Sequence, residues 1–137
     1  LDTIQAVVAR HLLEKINHIT ESRVAHADYF DKELSSVSQI IIPKRDADIY
    51  QVYHIYSICC QRRNELQNYL IENGVDAKVH YPIPMHLQPA ADYLGHEKGD
   101  FPIAETIADN TISLPVHEFI SRDQQDHVIK LIKTFYD

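Results

Sequence analysis

Residues 50–60 read YQVYHIYSICC, and this stretch decides the fold of the chain. In an extended strand, alternate side chains point to opposite faces, so residues 52, 54, 56, 58 and 60 share one face and residues 53, 55 and 59 share the other. Both faces are largely apolar, which is typical of a strand that is covered on both sides. We therefore predict that Tyr50–Cys60 is the central strand of a sheet.

The segments around this strand predict a small sheet with helices packed on it. Ile40–Ile42 is a short apolar run, and glycine or proline residues separate most of the later segments. The predicted order after the central strand is helix Arg63–Asn73, strand Val75–Tyr81, short helix Ala90–Leu94, helix Phe101–Asn110, strand Thr111–Leu114 and a last helix, Arg122–Tyr136, capped by Ser121 and Gln124. The fold class is therefore α+β, with a small mixed or antiparallel sheet and helices mainly on one face.

The chain opens with a long amphipathic pattern. From Leu1 to Leu34, apolar residues recur at three- and four-residue spacing, and no glycine or proline interrupts them. Such a helix would be about 50 Å long, because each residue adds about 1.5 Å. We expect part of it to pack on a neighbouring unit, so the sequence reads as a piece of a longer protein. The predicted organisation is a single domain over residues 1–137, with a long interdomain helix over 1–35 and an α+β sandwich over 36–137.

Composition argues against several kinds of partner. The chain has 20 acidic and 13 basic side chains and a formal net charge of −7, whereas nucleic acids and anionic membranes require a basic face. No apolar run approaches the roughly 20 residues of a membrane span. Cys59 and Cys60 are adjacent, so they form neither a metal pair nor a redox motif, and reduced cysteines are typical of the cytoplasm. We predict a cytoplasmic protein that binds neither nucleic acid nor membrane.

Common catalytic signatures are missing from the sequence. The nine histidines include no HExxH pair and no Cys/His spacing suited to zinc. Only three glycines occur, so the chain has no glycine-rich phosphate loop, and it has no GxSxG elbow.

The most unusual segment is HYPIPMHLQPA, residues 80–90. Its three prolines restrict the backbone around His80, Tyr81 and His86, which suits the wall of a preorganised site. Lys78 would share a strand face with His80, so a cation and an imidazole would meet an anionic ligand there. The alternative is a proline-rigid loop held by aromatic packing alone.

The order of several motifs resembles one enzyme family over essentially the whole chain. They are LDTIQA (1–6), VYH (52–54), RRNELQNYL (62–70), ENGVDAKVHYPIPMHLQPA (72–90) and GDFPIAETIADNTISLP (99–115). This arrangement is similar to the last third of the DegT/DnrJ/StrS sugar aminotransferases. The resemblance implies the C-terminal small domain of the aspartate-aminotransferase fold (fold type I), in a homodimer. It also implies transfer of an amino group from glutamate to a keto sugar on a nucleotide diphosphate, in amino-sugar or polysaccharide biosynthesis, with pyridoxal phosphate (PLP) as cofactor.

The resemblance also implies roles for four residues of this chain. His80, Tyr81 and His86 match the loop that approaches the sugar nucleotide, and Lys78 is placed to touch the diphosphate. In the family the PLP lysine lies in the large N-terminal domain, and none of the seven lysines here has its sequence context. The resemblance therefore implies that the full-length parent is the enzyme, that its other domain holds PLP, and that this chain alone is inactive.

A second interpretation is a stand-alone module of ferredoxin-like or ACT-like type that binds a small molecule or dimerises. The alternation of strands and helices fits it loosely. The overlong first helix and the proline-fixed histidine loop fit it badly.

Overall fold

The computed structural model describes residues 2–137, which form α-helices, two short 3-10 helices and three strands. The α-helices are α1 (Thr3–Leu13), α2 (Ile16–Leu34), α3 (Arg63–Glu72), α4 (Pro102–Asn110) and α5 (Arg122–Tyr136). The strands are β1 (Ile40–Ile41), β2 (Tyr56–Cys60) and β3 (Thr111–Leu114), and the 3-10 helices are Met85–Leu87 and Pro89–Leu94. The predicted α+β class is confirmed.

Strand β2 lies at the centre of the sheet, as predicted for its residues. The strand order is β1-β2-β3, and both pairings are antiparallel. The register of β2 on β3 places Ser57 opposite Ser113 and Ile58 opposite Ile112. Side chains on β2 alternate between buried and half-buried, so one face of the strand belongs to the core.

The core joins this face to helices α2, α3 and α5. Its largest fully buried apolar side chains are Phe30, Leu34, Tyr56, Ile58, Leu66, Leu70, Ile112 and Ile132. A buried phenol requires a hydrogen-bond partner, and the hydroxyl of Tyr56 donates to Asp31 Oδ1 at 2.7 Å. The Arg45 guanidinium binds both carboxylate oxygens of Asp31. Burial, followed by the bond to Asp31, raises the pKa of Tyr56 far above its ordinary value, so this phenol stays a donor.

The central strand is shorter than predicted, because residues 50–55 are not paired in the sheet. Tyr53 has a φ of 48°, in the left-handed region, which interrupts the pleat. The carbonyls of Tyr53 and His54 accept hydrogen bonds from Arg23 Nη1, at 3.1 and 3.2 Å, instead of from a neighbouring strand. The prediction of a strand over Tyr50–Cys60 is therefore wrong for its first half.

The predicted strand Val75–Tyr81 is also wrong, apart from one bridge. The amide of Val75 donates to Leu70 O and that of Ala77 to Val75 O, so these donors are satisfied locally. Lys78 alone pairs with β3, through an antiparallel bridge to Ser113. The segment is thereby attached to the sheet without forming a fourth strand.

The predicted first helix is two helices, α1 and α2, separated at Glu14 and Lys15. The last turn of α1 tightens, and the Lys15 amide donates to Leu12 O at 2.9 Å. Neither residue is a helix breaker, so apolar spacing continues across the junction without a signal. No residue of α1 within the described chain is buried. Leu1, where the helix was predicted to start, lies outside the described residues.

Two predicted helix ends are confirmed. Gly74 follows α3 with a φ of 81°. At the start of α5, Ser121 Oγ accepts from the Gln124 amide at 3.2 Å, and Gln124 Oε1 accepts from the Ser121 amide at 2.9 Å. This reciprocal pair is a capping box, and it fixes the start of α5 beside the cleft described below.

Candidate functional site

An open cleft of about 630 Å³ lies between the end of β3, the segment after α3 and the first turns of α5. Its size is within the range of small-molecule sites. The polar side chains along its wall are Arg23, His54, Asp76, Lys78, His80, Ser113, His117, Asp123, Gln124 and His127.

Lys78 and His80 both line this cleft, although the strand that was predicted to carry them forms only the Lys78 bridge. Their role in binding a ligand stays a prediction. The Lys78 ammonium is 2.9 Å from Asp76 Oδ1, and its side chain is 57% exposed. A cation this open to solvent can exchange its carboxylate for a ligand at little cost, because exposed ion pairs contribute only about 0–1 kcal/mol.

A chain of three side chains positions His80. The Nδ1 atom of His80 is 3.0 Å from Ser113 Oγ, which is in turn 2.9 Å from Ser57 Oγ. The two serines are direct partners in the register of β2 and β3. Because Nδ1 is occupied by this contact, Nε2 is the nitrogen of His80 left for a ligand.

The sequence analysis missed several cleft residues. His54, His117 and His127 come from three separate segments, and Arg23 reaches the cleft from α2. The Arg23 guanidinium also lies 3.7 Å from Glu118 Oε2. No local motif joins these residues, so only the tertiary structure could bring them together. Ser113 did carry a sequence signal, because it lies in ISLP, the end of the motif over residues 99–115 that supports the family resemblance.

Together these side chains line the cleft with many hydrogen-bonding groups. Two permanent cations and four imidazoles line it, against the carboxylates of Asp76 and Asp123. Within residues 2–137, no three histidine, cysteine or acidic side chains are grouped as metal ligands. The arrangement is suited to an anionic ligand with several hydrogen-bond acceptors.

The structure does not bring Tyr81 or His86 into this cleft. Tyr81 is 71% exposed, with its ring set edge-on to that of His80 at 5.7 Å. His86 Nε2 lies 3.0 Å from Glu105 Oε1, and its ring packs edge-on against Phe101 at 4.8 Å. His86 therefore holds the proline-rich segment against α4, and a role for either residue in substrate binding stays a prediction.

Comparison with known proteins identifies the family of the chain. A model of the DegT/DnrJ/EryC1/StrS aminotransferase family matches residues 1–133. This chain belongs to that family. Its match to the model runs through the sheet, the proline-rich segment and most of α5.

Two relatives and one solved structure illustrate the likeness. The erythromycin biosynthesis sensory transduction protein EryC1 of Saccharopolyspora erythraea is 36% identical over 133 residues, covering 97% of this chain and 36% of that protein. A dTDP-3-amino-3,4,6-trideoxy-alpha-D-glucose transaminase of Streptomyces venezuelae is 32% identical, covering 97% and 35%. The crystal structure of S. venezuelae DesV in complex with a ketimine intermediate matches with a TM-score of 0.95 and 31% identity, covering 100% of this chain and 37% of that one.

The present chain thus spans little more than a third of the length of these proteins. Their likeness supports the aminotransferase interpretation of its fold over the ferredoxin-like or ACT-like module. Among residues 2–137, every helix is too short or too polar to cross a membrane.

The contacts of Glu105 with the Gly99 amide and the His86 ring predict that the stability of the fold depends on pH. The Gly99 amide, and next the His86 ring, lower the pKa of Glu105 in the folded chain. The ionised carboxylate therefore stabilises the fold above the ordinary glutamate pKa of about 4.3, and this contribution is lost as pH falls through the lower folded-state value. Glu105→Gln should lower the urea midpoint of unfolding at pH 7. The difference between the midpoints of the variant and the wild type should shrink below about pH 4.

The matched control is Glu72→Gln, since Glu72 is an exposed residue at the end of α3. That variant should unfold at the wild-type urea concentration at both pH values. A deficit of Glu105→Gln that is the same at both pH values would contradict the assigned pKa.

Proposed function

We propose that this chain is the C-terminal small domain of a PLP-dependent aminotransferase that moves an amino group from glutamate to a nucleotide-linked keto sugar. Membership of the DegT/DnrJ/EryC1/StrS family and the likeness to DesV support this assignment. The observation that carries it is the cleft in which Lys78 and His80 lie together, beside Arg23 and three further imidazoles. The pathway would be amino-sugar or polysaccharide biosynthesis.

The ligand class follows from the hydrogen-bond donors of the cleft. A nucleotide diphosphate presents several anionic oxygens, which charge-assisted hydrogen bonds from lysine, arginine and imidazole groups bind well. The transaminase of S. venezuelae described above carries a dTDP-linked amino sugar in its name. We propose that the diphosphate of such a sugar nucleotide binds between Lys78 and His80, with Tyr81 and His86 shaping the adjacent loop.

The lysines of this chain do not fit a covalent anchor for PLP. A Schiff-base lysine needs a desolvated, unprotonated amine, or a neighbouring cation that favours one. Lys78 is the lysine that lines the cleft, and it is more than half exposed and paired with Asp76. Of the other six, Lys133 is half-buried with Glu33 and the rest are exposed. We therefore propose that a preceding domain of a longer protein supplies the anchor, and no step through PLP is assigned to this chain.

The first helix supports the same division of labour. The apolar side chains of Ile4, Val8 and Leu12 recur on one side of α1 and are 76%, 54% and 48% exposed. An apolar stripe of this kind is normally covered by a partner surface. We propose that the preceding domain covers it in the longer protein, which acts as a cytoplasmic homodimer, and that the 137-residue chain alone covers it by self-association.

The chain alone is expected not to transaminate. With PLP, glutamate and a dTDP-linked keto sugar, formation of 2-oxoglutarate should not exceed the rate of the same mixture without protein. The physical reason is the missing covalent anchor. Turnover that depends on both PLP and the chain would overturn the division of labour.

Binding of the nucleotide tests the cleft itself. Titration of the ¹⁵N-labelled chain with dTDP should shift the amide signals of Lys78, His80 and Ser113. His80→Ala should raise the dissociation constant for dTDP by about 10-fold, because it removes one charge-assisted hydrogen bond of about 1.5 kcal/mol.

The matched control is His96→Ala, which removes an exposed imidazole outside the cleft and should leave dTDP affinity unchanged. Shifts confined to residues outside the cleft, or an unchanged affinity in His80→Ala, would contradict the assignment of the site.

Self-association of the isolated chain is a further expected outcome. Sedimentation velocity should show a concentration-dependent dimer, and Val8→Glu should shift it toward monomer by placing a charge in the apolar stripe. Ala6→Glu adds the same charge to the opposite side of α1 and should leave the dimer intact. A monomer at high concentration in the wild-type chain would contradict the proposal.

A further inference from the structure

Ser113 contacts both residues proposed to bind the ligand. Its backbone amide donates to Lys78 O at 2.7 Å, and its carbonyl accepts from the Lys78 amide at 3.1 Å. Its hydroxyl meets His80 Nδ1 at 3.0 Å. Ser113 is itself only 4% exposed, so little of its surface is open to a ligand. One buried residue thus sets the position of the cation and of the imidazole together.

The hydroxyl of Ser113 is not explained by packing. All four residues of β3 are buried, and its neighbours Ile112 and Leu114 are part of the apolar core. Burying a hydroxyl is costly unless it is hydrogen-bonded. Here it is satisfied on both sides, by His80 and by Ser57 on the paired strand. The two hydroxyls therefore satisfy each other and His80 Nδ1, and alanine at both positions would remove the serine contact of that nitrogen.

The contacts of Ser57, Ser113 and His80 allow two proton orders, and an anionic ligand favours one of them. A serine hydroxyl has one proton to donate and two lone pairs to accept with. When Ser57 donates to Ser113 and Ser113 donates to Nδ1, the neutral imidazole carries its proton on Nε2. That N–H is the donor that a phosphate oxygen needs. The opposite order would leave neutral His80 with a lone pair on Nε2, which repels an anionic oxygen.

We propose that Ser113 is the positioning residue of the cleft, holding His80 in the Nε2–H tautomer for an anionic phosphate group while its backbone fixes Lys78. The inference rests on the proposed function, because it takes the nucleotide diphosphate as the ligand. Ser57 has a supporting role, since it orients the Ser113 hydroxyl. Ser113 acts through His80 and need not touch the ligand.

A double-mutant cycle with dTDP as the probe tests this role. Ser113→Ala should weaken dTDP binding by about 3- to 10-fold, the range of one ordinary hydrogen bond. In the His80→Ala background the same substitution should have no further effect, because its route to the ligand is already removed. Ser57→Ala should weaken binding in the same direction by a smaller factor.

The tautomer of His80 gives a second readout that general destabilisation would not move. Long-range ¹H–¹⁵N spectra of the neutral imidazole should show the proton on Nε2 in the wild-type chain and a mixture of tautomers in Ser113→Ala. Thr111→Val is the matched control, because Thr111 is a buried hydroxyl residue on the same strand that does not line the cleft. It should alter neither affinity nor tautomer.

The outcomes separate the two proposals. If His80→Ala leaves dTDP affinity unchanged, the proposed ligand site fails. If His80→Ala weakens binding while Ser113→Ala does not, the ligand site stands and the positioning role of Ser113 is overturned. Additive losses in the double variant, or a wild-type His80 protonated on Nδ1, would also overturn the positioning role.

Discussion

The pairing of β2 with β3 is the constraint on which the cleft depends. Its register sets Ser57 against Ser113, and the backbone of Ser113 then pairs with Lys78, the attachment point of the segment that carries His80. A slip of one residue in a strand moves every side chain to the other face of the sheet. Such a slip would put aliphatic side chains where the hydroxyls lie and leave His80 without its anchor. Burial of Ile58 against the helices makes that slip costly, so packing of the core stabilises the geometry of the site.

The charge balance of the cleft differs from that of the chain, because its two permanent cations equal its two carboxylates in number. The formal net charge is −7, yet the cleft gathers cations and imidazoles from segments far apart in sequence. Net charge describes the long-range field of a protein and leaves the character of a single cleft open. The acidic composition is therefore compatible with a small anion-binding site.

Local patterns predicted the elements whose causes are local. Alternation predicted a strand over Tyr50–Cys60, of which Tyr56–Cys60 is a strand, and the capping box set the start of α5. The failures have tertiary causes. The left-handed backbone at Tyr53 accompanies carbonyls bound by Arg23, thirty residues earlier in the chain, and no periodicity signals that contact. In the site, alternation grouped Lys78 with His80, but the strand that it assumed forms only the Lys78 bridge, and His80 is held by Ser113. The turn of His86 toward Glu105 depends on how the proline-rich segment folds onto α4.

The bond between Arg23 and the carbonyls of Tyr53 and His54 has a mechanical consequence. The guanidinium belongs to helix α2, while the carbonyls belong to the wall that carries His54. Sliding α2 along its axis would take the partly buried Arg23 guanidinium away from these two carbonyl acceptors, which is unfavourable. The helix and the wall are therefore expected to shift as one body. Because Arg23 itself lines the cleft, a tilt of α2 would change the shape of the cleft mouth.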